Sequence, residues 1–474
     1  EGGTGAGLVR GAASAEGKLA FVFSGMGQQH WAMGRSLRRW SPVFARKLQE
    51  IDALFARHTT EWSLLQELDA AEDLSRIDRT DIAQPAIFAV QVGLAAMWQA
   101  LGVSPDVVSG HSVGEVAAAH VAGALTMEQA VAVSFHRSRL QALTAGQGRM
   151  LAVGLPEAEV AERIAAHARQ ICIAAVNSPR SVTLAGDAAV LERLEPLFTA
   201  EGAFSRMLNV EVPYHSPAME AIVDDLRAAL GGIRGQTSRI PMISTTTGAV
   251  IDGNRIDADY WVRNVCDPVR FLDAMDSMTQ DGVRTFIELG AHPVLSSAMR
   301  ECLSRSEAGA TVLASQRRGQ DDAAVFLDAA GALFCQGHPV DFGTLYVRPA
   351  RPPHLPGYAW DHRRIWQETA VSTQQRLRRM TDGTAVHPLL GPREDSAEPR
   401  WRGYVTLSGP AYLQDHKVRD AVLFPAAGFI EMALAGAARA AFGTIGDGHR
   451  PVAIGDFRIE GHWFLTPSSA PICN

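Results

Sequence analysis

The stretch PDVVSGHSVGEVAAAHVAGAL, Pro105 to Leu125, decides the fold of this chain. Its apolar run DVV predicts a short buried strand, and EVAAAHVAGAL predicts a helix, because alanine and glutamate favour helices. Between them Ser112 stands in the pattern Gly-x-Ser-x-Gly, with Gly110 and Gly114 on either side. Glycine permits a sharp turn there, which exposes the serine hydroxyl beside the amides of a helix N-terminus. The stretch therefore predicts a serine nucleophile; the alternative is a serine packed in a tight turn.

Length and charge limit the class of protein. At 474 residues the chain is long enough for two or three domains. Its net charge of −7 contains no block of like charge, which argues against nucleic acid or a membrane surface as the main partner. We expect no apolar run near the roughly 20 residues of a membrane span, no signal peptide, and a soluble, cytoplasmic protein.

The cysteines do not follow the pattern of a disulfide framework or a metal site. They lie far apart and form no CxxC pair, so we expect reduced thiols, mostly buried. The five positions are Cys172, Cys266, Cys302, Cys335 and Cys473.

Short strands alternate with apolar helical patterns over the first 300 residues. KLAFVF, Lys18 to Phe23, predicts a buried strand that ends in a glycine turn, and RTFIEL predicts another. The alternation predicts an α/β fold with a mostly parallel sheet, preceded by a linker over residues 1–17. Residues 149–210 instead follow the order β-α-β-β-α-β and predict an inserted ferredoxin-like subdomain; the alternative is a continuation of the same sheet.

A serine nucleophile needs a base, and the pattern offers more than one histidine. His215 in VEVPYHSPAME comes after the inserted subdomain and before a turn and an amphipathic helix. His292 in ELGAHPVL occupies a loop position of equal chemical merit. The residues alone leave this pairing open.

Six separated motifs resemble those of one family. FVFSGMGQQ, GHSVGEVAAAHVAG, FHRSRLQ, AAVNSPRSVTLAG, VPYHSPAME and IELGAHPVL have the order and spacing of the acyltransferase domains (malonyl-CoA:ACP transacylase-like) of polyketide synthases and animal-type fatty acid synthases. The resemblance covers residues 19–305. It implies an α/β-hydrolase-like core that carries a ferredoxin-like insert.

The resemblance also implies the catalytic groups. Ser112 would be the nucleophile and His215 its base, in a dyad whose imidazole is oriented by a backbone carbonyl, which we expect from the loop ELGAHP. The backbone amides of Met26 and Val113 would form the oxyanion hole, which does not depend on the Met26 side chain.

Four further positions match groups that line the family's pocket. Arg137, 25 residues after the serine, would hold the free carboxylate of a malonyl group with its planar fork. Gln84 and Asn177 would be polar lining residues, for which a structural role is an equal alternative. Tyr214 would crowd an α-methyl branch, which favours malonyl over methylmalonyl.

The implied reaction is the transfer of an extender unit. Ser112 would take a malonyl-type acyl group from a coenzyme A thioester and pass it to the phosphopantetheine of an acyl carrier protein, without a permanently bound cofactor or a metal. The alternatives are a methylmalonyl-specific or broad-specificity acyltransferase, an editing acyl hydrolase on the same fold, and a non-enzymatic scaffold.

The remainder of the chain resembles neighbouring parts of such synthases. Residues 306–375 resemble a post-acyltransferase linker that packs on a ketosynthase domain through aromatic anchors. Residues 387–474 resemble the first hot-dog half of a dehydratase, with His416 as its histidine, so we expect a fragment of a multidomain synthase. Two positions depart from that family, Asp420 and Ala426, where glycine is usual; a solvated turn is the preferred interpretation of Asp420. The anchors would be Tyr358, Trp360 and Trp366.

We expect from these patterns four segments. They are a linker over residues 1–17, an acyltransferase domain over 18–305, a post-acyltransferase linker over 306–375, and a truncated dehydratase hot-dog over 387–474.

Overall fold

The computed structural model divides the chain into two compact units, Glu1–Arg351 and Pro352–Asn474, which are described separately. The predicted aromatic anchors Tyr358, Trp360 and Trp366 lie outside the described residues. The structure describes residues 9–11, 13, 17–305, 309–345, 357, 367, 369–372, 387–391, 393–394, 396–401, 405, 407, 410–442, 453–458, 460–461 and 463–465.

A six-stranded sheet forms the centre of the first unit. Its order is β11-β10-β1-β2-β7-β8, and every neighbouring pair is parallel except β7 with β8. The predicted mostly parallel α/β sheet is therefore confirmed. The strands are β1 Lys18–Phe23, β2 Val107–Gly110, β7 Met242–Ser244, β8 Ala249–Ile251, β10 Val283–Leu289 and β11 Thr311–Ala314.

Helices cover this sheet because its strands are apolar on both faces, as parallel strands usually are. Five of the six residues of β1 are buried, and so are all four of β2. The helices of the first unit are α1 Arg35–Trp40, α2 Pro42–Phe55, α3 Leu64–Asp69, α4 Thr80–Ala100, α5 Gly114–Ala122, α6 Met127–Ala142, α7 Glu157–Ile164, α8 Ala188–Ala200, α9 Val223–Ala229, α10 Ala258–Cys266, α11 Phe271–Gln280, α12 Ser296–Leu303 and α13 Asp322–Cys335.

Helix α4 corrects the expectation that no apolar run approaches the length of a membrane span. Over the described residues it is the one helix long and apolar enough to cross a membrane, because an 18-residue segment of it has a mean hydropathy of 1.2. However, 89% of that segment is buried inside the protein. Its apolar surface is therefore used in the core, where it packs against α2 and α6.

A second, five-stranded sheet has the predicted ferredoxin-like order. Its four antiparallel strands lie side by side as β6-β3-β5-β4, with α7 and α8 as the two connecting helices. A short fifth strand pairs in parallel with β4 at the edge. The inserted subdomain is thus confirmed and the continuous-sheet alternative is wrong. Its strands are β3 Arg149–Val153, β4 Ile171–Ser178, β5 Ser181–Gly186, β6 Ser205–Met207 and β9 Val269–Arg270.

The second unit has a small antiparallel sheet beside a long helix. The strands β12 Lys417–Val418, β13 Ala421–Leu423 and β14 Phe464–Leu465 form the sheet, and α14 spans Ala426–Phe442. Such a sheet and helix fit a partial hot-dog. Among the described residues, Leu389, Val405, Leu413, Phe424 and Leu465 form the apolar core cluster of this unit.

The turn from β2 to α5 depends on a close backbone approach at Gly114. A Cβ atom at this position would lie 2.2 Å from the carbonyl oxygen of Phe23 in β1. No side-chain motion relieves a clash with backbone, so β1 or α5 would have to shift.

We therefore expect Gly114→Ala to lower the free energy of unfolding by about 2 kcal/mol or more, measured by denaturant titration. The matched control is Gly232→Ala, where a Cβ atom meets nothing within 4 Å. That control should change the free energy of unfolding by less than about 0.5 kcal/mol. Equal effects of the two substitutions would contradict the packing argument.

Candidate active site

The serine lies on the predicted sharp turn. β2 ends at Gly110 and α5 begins at Gly114, so Ser112 stands between the strand and the helix. Its backbone φ is 54°, in the left-handed region that a serine seldom adopts. A Cβ atom at Gly110 would lie 2.3 Å from the amide nitrogen of Glu115, which explains the glycine there. The turn aims the Ser112 side chain into a cleft between the two sheets.

His215 meets this serine across 103 residues of sequence. Its Nε2 atom lies 2.7 Å from Ser112 Oγ, and its Nδ1 atom lies 2.9 Å from the carbonyl oxygen of Asp267. The Nδ1–H therefore donates to that carbonyl, which leaves Nε2 as the acceptor for the serine proton. Like Ser112, His215 has a positive φ, 57°.

The structure resolves the competition between histidines and corrects one expectation. His292 Nδ1 accepts a hydrogen bond from the Arg318 amide at 3.3 Å and takes no part in the pair with Ser112. The expectation that the loop ELGAHP supplies the orienting carbonyl was wrong, because Asp267, directly after α10, supplies it.

The surroundings of His215 keep its imidazole neutral. Burial, followed by the charges of Arg137 and His111, lowers the pKa of His215 to about 3, against the opposing hydrogen bond to Asp267. A neutral imidazole at physiological pH can accept a proton from a hydroxyl.

One predicted oxyanion amide directly follows the serine, and the other lies in the loop after β1. Met26 follows β1 and lines the cleft with Ser112, and Val113 directly precedes α5. Among the described residues, neither amide donates a hydrogen bond to another group. Amides at the start of a helix have no partner within the helix and favour negative charge.

Arg137 is buried behind the serine, with 1% of its surface exposed. Its Nη2 atom donates to Ser112 Oγ at 3.0 Å. Nη1 donates to Gln84 Oε1 at 2.5 Å and to Gln141 Oε1 at 2.9 Å. Nε donates to Asn264 Oδ1 at 3.1 Å. Burial lowers the pKa of Arg137 to about 10, so the group remains a cation at neutral pH.

The three other predicted lining residues are brought to the same site in different ways. Gln84 lies behind Ser112 and bonds to Arg137, whereas Asn177 and Tyr214 line the cleft. Asn177 Nδ2 donates to Thr183 and its Oδ1 accepts from His111 Nε2 at 2.8 Å, so Asn177 orients a partly buried histidine.

The hydroxyl of Tyr214 is held by a hydrogen bond with Thr80. Its hydroxyl lies 2.8 Å from Thr80 Oγ1, on the first turn of α4, and 5% of the residue is exposed. Burial raises the pKa of Tyr214, so its hydroxyl is neutral.

Gln141, Glu115 and Asn264 are buried residues of the site that were not predicted from the sequence. Gln141 lies one turn after Arg137 on α6, a spacing that could have identified it. Glu115 follows Gly114 directly and could have been suspected as a charge inside an apolar helix. Asn264 is 127 residues from its partner Arg137, and no sequence signal identifies it.

The cleft in front of these groups has a volume of about 980 Å³ and is open to solvent. Nothing in the described part of the chain forms a group of three or more His, Cys, Asp or Glu side chains that could hold a metal ion. The lining residues around the serine include Met26, His111, Asn177, Tyr214, His215 and Arg318.

His416 belongs to the second unit and is exposed there. Its Nδ1 atom lies 2.8 Å from the carbonyl oxygen of Leu423, across the hairpin of β12 and β13. Asp420 is an exposed residue of the turn, and both Arg419 and Asp420 have positive φ. This backbone explains why glycine suits the position and agrees with the interpretation of Asp420 as a turn residue.

Comparison with known proteins gives two family matches. The acyl transferase domain family matches residues 20–339, and the polyketide synthase dehydratase domain family matches residues 387–470.

Curated relatives are polyketide synthases from bacteria and fungi. Polyketide synthase GfsB of Streptomyces halstedii is 36% identical over 92% of this chain and 8% of its own length. Highly reducing polyketide synthase sdnO of Sordaria araneosa is 36% identical over 88% of this chain and 14% of its own length. The chain thus spans a small part of these relatives.

Solved structures with the same architecture are acyltransferase domains. The domain from module 8 of the salinomycin polyketide synthase has a TM-score of 0.68 and 38% identity, over 71% of this chain and 79% of that chain. A loading acyltransferase from the avermectin modular polyketide synthase has a TM-score of 0.64 and 38% identity, over 67% of this chain and 99% of that chain.

The lowered pKa of His215 predicts an unusual pH dependence. We expect the rate at which a neutral fluorophosphonate labels Ser112 to change by less than about two-fold from pH 5 to pH 8, since the imidazole stays neutral throughout. A histidine with the ordinary pKa of 6.5 would lose about 30-fold at pH 5.

The stability of the folded state limits the pH range of this experiment. Because His215 in the folded protein binds a proton less readily than in the unfolded chain, its contribution to stability falls as the pH drops from 6.5 towards 3. Circular dichroism at each pH verifies the fold, and His215→Ala gives the background rate. A decline centred near pH 6.5 would contradict the neutral-base interpretation.

Proposed function

This chain belongs to the acyltransferase family of polyketide synthases, and we propose that it loads a malonyl-type extender unit onto an acyl carrier protein. The donor would be a coenzyme A thioester, and the acceptor the phosphopantetheine thiol of the carrier. The observation that carries the proposal is a buried cation, Arg137, within hydrogen-bond distance of the Ser112 hydroxyl. A cation behind the nucleophile suits an acyl group that ends in a carboxylate.

In the first half-reaction Ser112 takes the acyl group. Its Oγ attacks the thioester carbonyl carbon while His215 Nε2 accepts the hydroxyl proton, and the amides of Met26 and Val113 stabilise the oxyanion. The C–S bond then breaks, and the imidazolium returns the proton to the leaving coenzyme A sulfur. The product is an acyl ester on Ser112.

In the second half-reaction the carrier thiol takes the acyl group. His215 accepts the thiol proton, the sulfur attacks the ester carbonyl, and the C–O bond to Ser112 breaks as the serine recovers a proton. This ping-pong cycle uses the same base and the same amides twice. No permanently bound cofactor takes part in it.

Arg137 gives the proposed carboxylate preference. A guanidinium carries five N–H groups, and among the described residues four of the contacts from Arg137 are with Gln84, Gln141, Asn264 and Ser112. One Nη2–H is left for a substrate. Two-point binding of a malonyl carboxylate uses N–H groups on two nitrogens, so one of the two glutamines would have to release its Nη1–H as the substrate binds.

We propose malonyl rather than methylmalonyl as the preferred unit. Tyr214 is adjacent to His215 and lines the cleft, and the hydrogen bond between its hydroxyl and Thr80 restrains its ring there. Exclusion of one methyl group is worth about 1–3 kcal/mol, so the proposal is a preference.

The partners and boundaries are proposed on the same basis. We assign an acyl carrier protein and a ketosynthase domain of a parent synthase as partners, and the acyltransferase domain to residues 18–305 with its subdomain at 149–210. A linker would occupy residues 306–375, followed by the dehydratase hot-dog at 387–474.

Competition between malonyl-CoA and methylmalonyl-CoA at equal concentration tests this function. We expect a covalent adduct on Ser112, identified by intact-protein mass, with malonyl in excess by a factor of about 5–100, and no adduct in Ser112→Ala. Supply of a carrier protein should discharge the adduct onto its phosphopantetheine. An adduct retained in Ser112→Ala would refute the nucleophile, methylmalonyl in excess would overturn the extender choice, and release as free acid would favour a hydrolase.

Arg137→Ala should lose malonyl transfer far more than acetyl transfer, because only malonyl has a carboxylate to bind. The lost charge-assisted contact should cost about 2–3 kcal/mol in the malonyl reaction, measured as kcat/KM for each coenzyme A ester. Arg139→Ala is the matched control, since Arg139 is an exposed arginine on the same helix. Equal losses for malonyl and acetyl would mean that Arg137 is structural.

A further inference from the structure

One side chain contacts both the proposed nucleophile, Ser112, and the group proposed to bind the substrate carboxylate, Arg137. Asn264 is buried, and its Oδ1 accepts from Arg137 Nε at 3.1 Å. Its Nδ2 donates to the Ser112 carbonyl oxygen at 3.3 Å and to Glu115 Oε2 at 3.1 Å. All three of these hydrogen bonds join the Asn264 amide to residues within or next to the site.

Glu115 sets the orientation of that amide. It is fully buried, and its carboxylate accepts from the hydroxyl of Tyr260, from Thr245 Oγ1 at 2.8 Å and from the amides of Thr245 and Thr246. A carboxylate surrounded by donors accepts only, so the NH₂ group of Asn264 has to face Glu115. The opposite atom, Oδ1, therefore has to face Arg137.

The same helix also orients the base. Asn264 lies near the end of α10, and Asp267, whose carbonyl accepts from His215 Nδ1, follows that helix directly. A displacement of α10 would consequently move the partner of the base and the partner of the cation together.

We propose that Asn264 is a positioning residue for carboxylate recognition, and that Glu115 acts through it to hold the Arg137 guanidinium in the plane needed by a malonyl-type acyl group. This inference rests on the proposed function. The guanidinium plane is held at Nε by Asn264 and at Nη1 by two glutamines, so that Nη2 points to Ser112.

The arrangement also explains why the buried carboxylate lies one side chain away from the buried cation. A glutamate in direct contact with Arg137 would occupy its fork and compete with the substrate. With an amide between them, Glu115 lies close to the cation without contacting it. Burial raises the pKa of Glu115, and the hydrogen bonds from Tyr260 and Thr245 oppose that shift. The Nη2 atom is then left to the substrate and the serine.

The experiment compares Asn264→Asp and Glu115→Gln, which preserve side-chain shape, with Ser244→Ala. Ser244 accepts a hydrogen bond from the Tyr260 hydroxyl at 2.9 Å and belongs to the same buried cluster, but among the described residues it makes no hydrogen bond with Asn264 or Arg137. For each variant the kcat/KM for acylation of Ser112 by malonyl-CoA and by acetyl-CoA is measured, together with fluorophosphonate labelling and near-ultraviolet circular dichroism.

We expect the ratio of malonyl to acetyl kcat/KM to fall by about 10-fold or more in Asn264→Asp and in Glu115→Gln. Labelling by the neutral fluorophosphonate should stay within about three-fold, because the pair of Ser112 and His215 remains. Ser244→Ala should leave the ratio unchanged.

The inference is overturned if the ratio is unchanged in both variants while Arg137→Ala lowers it; the proposed function then stands alone. An unchanged ratio in Arg137→Ala refutes the proposal that Arg137 binds the substrate carboxylate. Loss of the native dichroism spectrum in both shape-preserving variants also overturns the inference, because the two residues would then be supports of the fold.

Discussion

The Arg137 guanidinium has to be satisfied by hydrogen bonds inside the protein, because water cannot reach it. A buried, unpaired ion costs several kcal/mol, and this cost constrains every neighbouring side chain. The chain meets it with oxygen acceptors from three helices, α4, α6 and α10, rather than with a carboxylate in direct contact. The requirement thus ties together helices that are far apart in sequence, and among the described residues it leaves one Nη2–H of the guanidinium without an acceptor.

A second constraint lies in the backbone of the two residues that meet in front of this cation. Ser112 and His215 both have φ in the left-handed region, which costs on the order of 1–3 kcal/mol for a residue other than glycine. The tight packing of Gly110 and Gly114 against neighbouring backbone maintains the first conformation. The carbonyl of Asp267 and the serine hydroxyl hold the ring of the second. With these strained backbones, Ser112 Oγ and His215 Nε2 lie 2.7 Å apart between the two sheets.

The fold was predictable because its determinants are local. Apolar strands with glycine turns predicted the parallel sheet, and the β-α-β-β-α-β rhythm predicted the ferredoxin-like insert. The expectation that no apolar run approaches the length of a membrane span was less accurate, because polar residues interrupt the apolar sequence of α4. That 89% of its apolar segment is buried follows from tertiary packing. In the dehydratase-like segment, Asp420 has a positive φ, which agrees with the glycine that the family usually has at that position.

For the site, the sequence by itself determined the strand–turn–helix at Ser112, because the glycines and the flanking propensities that shape it lie within ten residues. It left His215 and His292 equivalent, and only the resemblance chose between them. The tertiary structure alone decided which carbonyl orients His215, and that Asn264 and Glu115 stand behind Arg137. Those contacts join residues 52 to 152 positions apart. Their geometry depends on hydrogen bonds that join α10 to α5 and α6, and no local pattern encodes those bonds.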